Sequence, residues 1–233
     1  MKTLYKGYAG IFLAGITCFA IFSGCGKKPE IKARASRTIV FFGDSITYGY
    51  GVDREKESFY ARISKIMESG LYGDIKTINA GASGDDTSEA LKRVKTDVSA
   101  HNPDIVVIAF GLNDCQNNSM TPQKFRKNIL AMIATMPAKT RVVIATSNTF
   151  LEGGRSLWKN LNDSFEKYMK ELRSLAGDNG YPIIHVNTAW ENHIRQDERH
   201  KESLYTDPTH PSAKGHRLIY ETYMDVLRKI IME

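Results

Sequence analysis

Four short segments of this sequence carry side chains suited to making and breaking covalent bonds. Gly43-Asp44-Ser45-Ile46-Thr47 directly follows an apolar run and sets a serine at a strand-to-helix turn, two positions after a glycine. A nucleophile belongs at such a turn, because backbone N–H groups and the start of the next helix can stabilise negative charge beside the hydroxyl. Taken alone, the same triplet is equally an ordinary turn with a capping serine. Asn79-Ala80-Gly81-Ala82-Ser83-Gly84-Asp85-Asp86-Thr87 and Gly111-Leu112-Asn113-Asp114 follow two later apolar runs. Near the C-terminus, Asp207-Pro208-Thr209-His210-Pro211 holds a carboxylate and an imidazole three residues apart in a proline-stiffened loop, short enough to orient a base. A serine hydroxyl is a poor nucleophile at neutral pH until a neighbouring imidazole accepts its proton.

These segments need a frame that brings them to one place. From Thr38 onward, short apolar runs alternate with longer amphipathic stretches, the pattern of a parallel sheet covered by helices on both faces. The runs 38–42, 75–79, 105–110, 141–146 and 183–186 predict five strands, several of them near-continuously apolar, as expected for burial on both faces. Helices are expected near 57–69, 87–101, 122–136, 156–176 and 212–231. Asp86 with Glu89 three residues on suits a capping box, and Thr121 before Pro122 suits an N-cap with proline at the first helical position. The expected fold class is α/β, a three-layer α/β/α sandwich with a roughly five-stranded parallel sheet. Such open sheets bind ligands at the carboxyl ends of their strands, where the Ser45, Gly84 and Asn113 segments fall.

In this order the four segments resemble the diagnostic blocks of the SGNH (GDSL-type) hydrolases, which supply a serine, a glycine, an asparagine and a histidine. The likeness runs from about Ile39 to the last helix. It implies the flavodoxin-like form of the sandwich and a serine esterase. Carried over residue by residue, it makes Ser45 the nucleophile and Asp207 and His210 the rest of a triad. It also makes the Ser45 N–H, the Gly84 N–H and the Asn113 side-chain amide the oxyanion-hole donors. The reaction implied is acyl transfer through an acyl-enzyme on Ser45, released by water that the same histidine activates. The substrate classes implied are a carboxylic ester or thioester, a lysolipid, or an O-acetylated glycan. Residues 43–52 resemble the thioesterase and lysophospholipase members somewhat more. No cofactor and no metal are implied. A catalytically silent binding lipoprotein of the same fold would have no reason to hold all five residues. An α/β-hydrolase would need a Gly-x-Ser-x-Gly elbow, which is not evident.

The composition, 42% hydrophobic and 25% charged over 233 residues, is that of a globular chain rather than a disordered one. Once an N-terminal segment is set aside, the length suits one catalytic domain, residues 38–233. Part of the net charge of +6 is Lys2 and Lys6, so the remainder is weak support for nucleic acid binding, and no nucleic acid partner is expected. The six histidines include no His-Glu-x-x-His helix and no Cys/His cluster with ligand spacing. His101, His193, His200 and His216 read as solvated surface side chains, and His185 as a hydrogen-bonded core residue of the fifth strand. Cys115 reads as a small packing side chain. Asp114 either positions the loop before it or caps the segment after it. The stretch 148–158, with Phe150, Leu151 and Trp158 beside Gly153-Gly154, forms either a wall of the acyl pocket or a closure of the core. Tyr48, Tyr50 and Trp190 carry the same two readings.

The first residues read as an export signal. Lys2 and Lys6 precede the apolar run 11–22, and Phe22-Ser23-Gly24-Cys25 resembles a bacterial lipobox, with Phe22 where leucine is usual. This makes residues 1–24 a lipoprotein signal peptide, Cys25 the lipidated residue and 25–37 a basic tether. The protein would then be held to a membrane by its N-terminal lipid, in a bacterial cell envelope and facing the periplasm or exterior. The alternative is an uncleaved signal anchor, which the excess of Lys and Arg after the apolar run favours. The run is nearer the length of a signal core than of a span.

Overall fold

The computed structural model describes residues 36–151 and 156–233. The expected signal segment 1–24, Cys25 and nearly all of the tether lie outside the described residues, as do Gly153, Gly154 and the side chain of Trp158.

Strands β1 (Arg37–Gly43), β2 (Ile75–Gly81), β3 (Ile105–Ala109), β4 (Arg141–Ala145) and β5 (Ile183–Ile184) form one parallel sheet in the order β2-β1-β3-β4-β5. The helices are α1 (Ser45–Tyr48), α2 (Phe59–Met67), α3 (Thr87–Asp97), α4 (Pro122–Ala134), α5 (Ser156–Asn179), α6 (Val186–Gln196) and α7 (Ala213–Met232). This is the three-layer sandwich that the alternation of apolar runs implies. Successive strand side chains point to opposite faces, so the neighbours Phe41 and Phe42 report on both helical layers. Phe41 meets Phe59 and Tyr60 of α2 and Tyr223 of α7, whereas Phe42 meets Phe110 and lies under the Arg93 guanidinium of α3. Every residue from Ile39 to Phe42 is buried, each such side chain stabilising the fold by roughly 1.5–3 kcal/mol.

Strand order reverses at β1, since β2 lies on one side of it and β3 on the other, which makes this the switch point where ligands bind. The register is what levels the site. Gly43 pairs with Gly81 on one side and with Ala109 on the other, so the chain leaves three neighbouring strands at one height. The loops that follow carry Ser45, Gly84 and Asn113.

Several expected elements differ in detail. The fifth strand is two residues long, and Val186, which the apolar run assigned to it, already begins α6. His185 therefore stands exposed ahead of that helix and is not a core residue. The pattern at 186–196 is helical, with Val186, Asn187 and Trp190 buried, but its first turn merges with the apolar strand before it. The helix expected over 87–101 stops at Asp97, and a separate 3₁₀ turn, Ser99–His101, follows. Asp86 caps α3 by accepting from the Ser88 and Glu89 N–H groups, while the Glu89 carboxylate turns to Lys92, so half of the capping box forms. Thr121 caps α4 through the Lys124 N–H, with Pro122 in the first turn. Arg37, counted with the tether, opens β1, and its guanidinium donates to the Ile231 carbonyl at 2.9 Å. Among the described residues no helix is long and apolar enough to cross a membrane.

Candidate active site

The turn that carries Ser45 is fixed by close backbone contacts. A Cβ on Gly43 would lie 2.2 Å from Thr47 Oγ1 and 2.7 Å from the Ala109 carbonyl, so only glycine fits at the end of β1. Asp44 then caps α1, its Oδ1 accepting from the Ile46 N–H at 2.9 Å. Burial pushes the Asp44 carboxyl up to about 7. The Asn79 side chain clamps the turn from β2, donating from Nδ2 to the Thr47 carbonyl and accepting from the Gly81 N–H, both at 2.9 Å. Ser45 is the first residue of α1 and is 7% exposed.

Ser45 Oγ lies 2.9 Å from His210 Nε2, and His210 Nδ1 lies 2.7 Å from Asp207 Oδ2. The other Asp207 oxygen accepts from the N–H groups of Thr209 and His210 at 2.8 and 2.9 Å, curling the loop back on itself. Burial alone would raise the Asp207 carboxyl, but the His210 ring and these N–H groups outweigh it and hold it below its ordinary value. An ionised carboxylate only accepts, so Nδ1 carries the ring proton and Nε2 presents its lone pair to the Ser45 hydroxyl. The loop is tied down from outside as well: Asn148 Nδ2 donates to the Thr209 carbonyl at 3.0 Å and the Leu151 N–H to that of Pro208 at 2.8 Å. Tyr50 leans on the His210 ring with centroids 4.4 Å apart and is itself about half exposed.

The other two expected residues stand on the neighbouring loops. Gly84 has φ +85°, a left-handed conformation that side chains resist. The Ser45 and Gly84 N–H groups have no hydrogen-bond partner among the described residues. Asn113 Nδ2 donates to the Asp85 carbonyl at 2.8 Å, which joins the second and third loops. Asp114, fully buried, joins them again: its Oδ1 accepts from the Thr87 N–H at 2.9 Å and the Thr87 hydroxyl at 2.6 Å. Of its two readings, Asp114 thus takes the one that positions the loop, and burial pushes its carboxyl up to about 6. The structure brings Ser45, Asp207 and His210 into one hydrogen-bonded chain and sets Gly84 and Asn113 on adjoining strand ends. Such an arrangement can deprotonate a serine as it attacks a carbonyl.

Other side chains fall into place around it. Cys115 donates to the Leu112 carbonyl and packs against the core, and burial pushes its thiol up to about 12, which leaves it inert at neutral pH. His216, expected on the surface, is fully buried on α7: its Nδ1 accepts from the Phe59 N–H and its ring stacks on Phe59. Burial pushes it down to about 4, so it is a neutral core histidine, recognisable only once α2 and α7 are known to pack together. His101 and His200 are exposed and His193 partly so. Trp190 is a core residue whose indole donates to the Tyr205 hydroxyl at 2.7 Å. Phe150 is buried against Phe165, and with Leu151 it lines a cleft of about 790 Å³ that includes none of the five expected residues. Among the described residues no group of three or more His, Cys, Asp or Glu is placed to hold a metal.

The sequence model of the GDSL-like Lipase/Acylhydrolase family matches residues 41–218. A Bacillus subtilis protein named uncharacterized lipoprotein YqeF is 25% identical over 224 residues, covering 83% of this chain and 90% of its own. An acetylxylan esterase of Geobacillus stearothermophilus is 20% identical over 213 residues, 83% of this chain and 95% of its own. The crystal structure of a lipase/acylhydrolase from Enterococcus faecalis superposes with a TM-score of 0.70 at 27% identity, over 84% of this chain and 95% of that one.

Proposed function

Because the chain belongs to the GDSL-like lipase/acylhydrolase family, the SGNH hydrolases, and is an ester-bond hydrolase, we propose that it cleaves carboxylic esters or thioesters through an acyl-enzyme on Ser45. The observation that carries this reading is the continuous chain from Asp207 through His210 to Ser45 Oγ. In the first half-reaction Ser45 Oγ bonds to the acyl carbon while its proton moves to His210 Nε2. Asp207 stays ionised and stabilises the imidazolium. The carbonyl oxygen gathers negative charge facing the Ser45 N–H, the Gly84 N–H and the second hydrogen of the Asn113 amide, and each such donor is worth roughly 3–4 kcal/mol in the transition state. The bond to the leaving oxygen or sulfur then breaks, and His210 returns the proton to it. Water then attacks the acyl carbon, giving up its proton to His210, which passes it to Ser45 Oγ as the acyl–oxygen bond to the serine breaks, and the acid leaves.

Lysophospholipid-like and thioester substrates are the leading class, on the resemblance of residues 43–52 to such members. O-acetylated glycan is the second, favoured by the acetylxylan esterase relative and by Tyr50, an exposed aromatic face beside His210 of the kind sugars stack on. We further propose an envelope lipoprotein anchored at Cys25, supported by the segment 1–24 and by the Bacillus relative named a lipoprotein.

The test is a panel of aryl esters of rising chain length, acyl thioesters, lysophospholipids and acetylated xylo-oligosaccharides, run on wild type and Ser45→Ala. Wild type should turn over one class preferentially, and Ser45→Ala should lose about 10⁴-fold or more in kcat while staying folded. Near-normal hydrolysis by a folded Ser45→Ala protein would end the acyl-enzyme reading.

A further inference from the structure

We propose that Arg93, on α3, is a positioning residue for the oxyanion site, holding all three of its donors in mutual register. Its guanidinium reaches the segments that carry Ser45 and Gly84 directly, and that of Asn113 through Asp85. One terminal nitrogen donates to the Gly43 carbonyl at 3.0 Å, two residues before Ser45. The other donates to the Ala80 carbonyl at 2.8 Å, near the end of β2, and to Asp97 at 3.1 Å. The Nε pairs with Asp85 Oδ2 at 2.5 Å, one residue after Gly84, and the Asp85 carbonyl in turn receives the Asn113 amide. The guanidinium plane lies over the Phe42 ring, 4.7 Å from its centroid, and only 19% of the side chain is exposed.

This set of contacts asks more of Arg93 than surface pairing does. An exposed i,i+4 pair with Asp97 would be served by any cation, and it contributes little. Two backbone carbonyls and a carboxylate lying in different directions call for a planar fork with several fixed donors, which arginine has and lysine lacks. The Gly43 carbonyl already accepts from the Ala82 N–H at 3.0 Å, so the strand ends are paired without Arg93. What the guanidinium adds is the link from those ends to the Gly84–Asp85 turn, and through Asp85 to Asn113. Donors to a developing oxyanion act only when pre-set, and a misplacement of about 1 Å can cost 10²-fold in rate. The side chain touches neither Ser45 nor His210, so it acts through the donors rather than on the reacting atoms.

The inference rests on the acyl-enzyme reading, and the experiment separates the two. Arg93→Lys, Asn113→Ala and the double variant are compared with wild type and Ser45→Ala on an activated aryl ester, with thermal midpoints measured beside kcat and KM. Arg93→Lys is expected to lower kcat roughly 10- to 100-fold with KM changed less than about threefold. The double variant should fall little below Asn113→Ala, because both changes disturb one unit. A folded Arg93→Lys enzyme with wild-type kcat overturns the proposal, and so do losses that multiply in the double variant. Should the lysine variant fail to fold, Asp85→Asn, which keeps the Asp85 carbonyl but removes the carboxylate on Nε, takes its place with the same two overturning results. Wild-type hydrolysis that survives Ser45→Ala would instead sink the acyl-enzyme reading.

Discussion

Which of the nucleophilic side chains Ser45 and Cys115 acts is decided by proton placement. Ser45 has a base within 2.9 Å, and the carboxylate behind that base fixes its tautomer. Cys115 lies close by in sequence to Asn113, but its thiol is pushed up to about 12 and donates to the Leu112 carbonyl, so it holds the loop. Asn113 has one amide hydrogen committed to the Asp85 carbonyl, and the proposed mechanism gives the other to the substrate oxygen. Asn113→Ala removes both the donor and the tie between the two loops. The expected result is a loss of roughly 10² to 10³ in kcat with a modest change in KM, since the donor engages charge that exists only in the transition state. A fall confined to KM would mean that Asn113 binds substrate and does not stabilise the oxyanion.

The loops after β2 and β3 are joined by the buried carboxyl of Asp114, and that junction has its own pH dependence. Asp114 Oδ1 accepts two hydrogen bonds from Thr87, while Oδ2 is buried with no partner among the described residues. Burial pushes the carboxyl up to about 6, above the roughly 3.9 of an unfolded aspartate, so the folded chain holds the proton more tightly. Its contribution is therefore fully present below about pH 4 and lost as pH rises through about 6, on the order of 3 kcal/mol in all. Asp86 and Asp207, held below their ordinary values, have the opposite sign and lose their contributions only in stronger acid. Asp114→Asn should make the thermal midpoint fall less, or rise more, with pH between about 4 and 6, leaving the decline that Asp44 supplies and the opposing rise from His216, which burial pushes down to about 4. An unchanged slope would show that Asp114 does not titrate there. The capping residues Asp86 and Thr121 were legible in the sequence because a cap needs only local spacing. Asp114 and Arg93 were not: their partners lie on other strands and helices, and only the register of β1, β2 and β3 brings them together. The buried His216 and the helix hidden behind the short β5 escaped for the same reason, since local apolar pattern does not say what packs on it.

At the scale of the whole molecule, the catalytic apparatus and the expected anchor occupy separate parts of the chain. The sheet begins at Arg37, and every residue assigned to the chemistry lies between Ser45 and His210. The four motifs made this domain readable in advance, because three sit where strands end at one level and the fourth fills the loop before α7. The N-terminal reading rests on other grounds: charge before a short apolar core, then small residues and Cys25. If Cys25 carries the lipid, several acyl chains on one residue supply the anchor, since a single chain binds a membrane only marginally. The wild-type protein should then sediment with membranes, and Cys25→Ser should release it or leave an unprocessed precursor. Because Cys25 precedes the catalytic domain in the sequence, kcat/KM on a soluble aryl ester should stay within about twofold. Protease added to intact spheroplasts should digest the domain if it faces outward. A domain protected in spheroplasts, yet still sedimenting with membranes when Cys25 is serine, would establish the uncleaved anchor with a cytoplasmic enzyme in place of the lipoprotein.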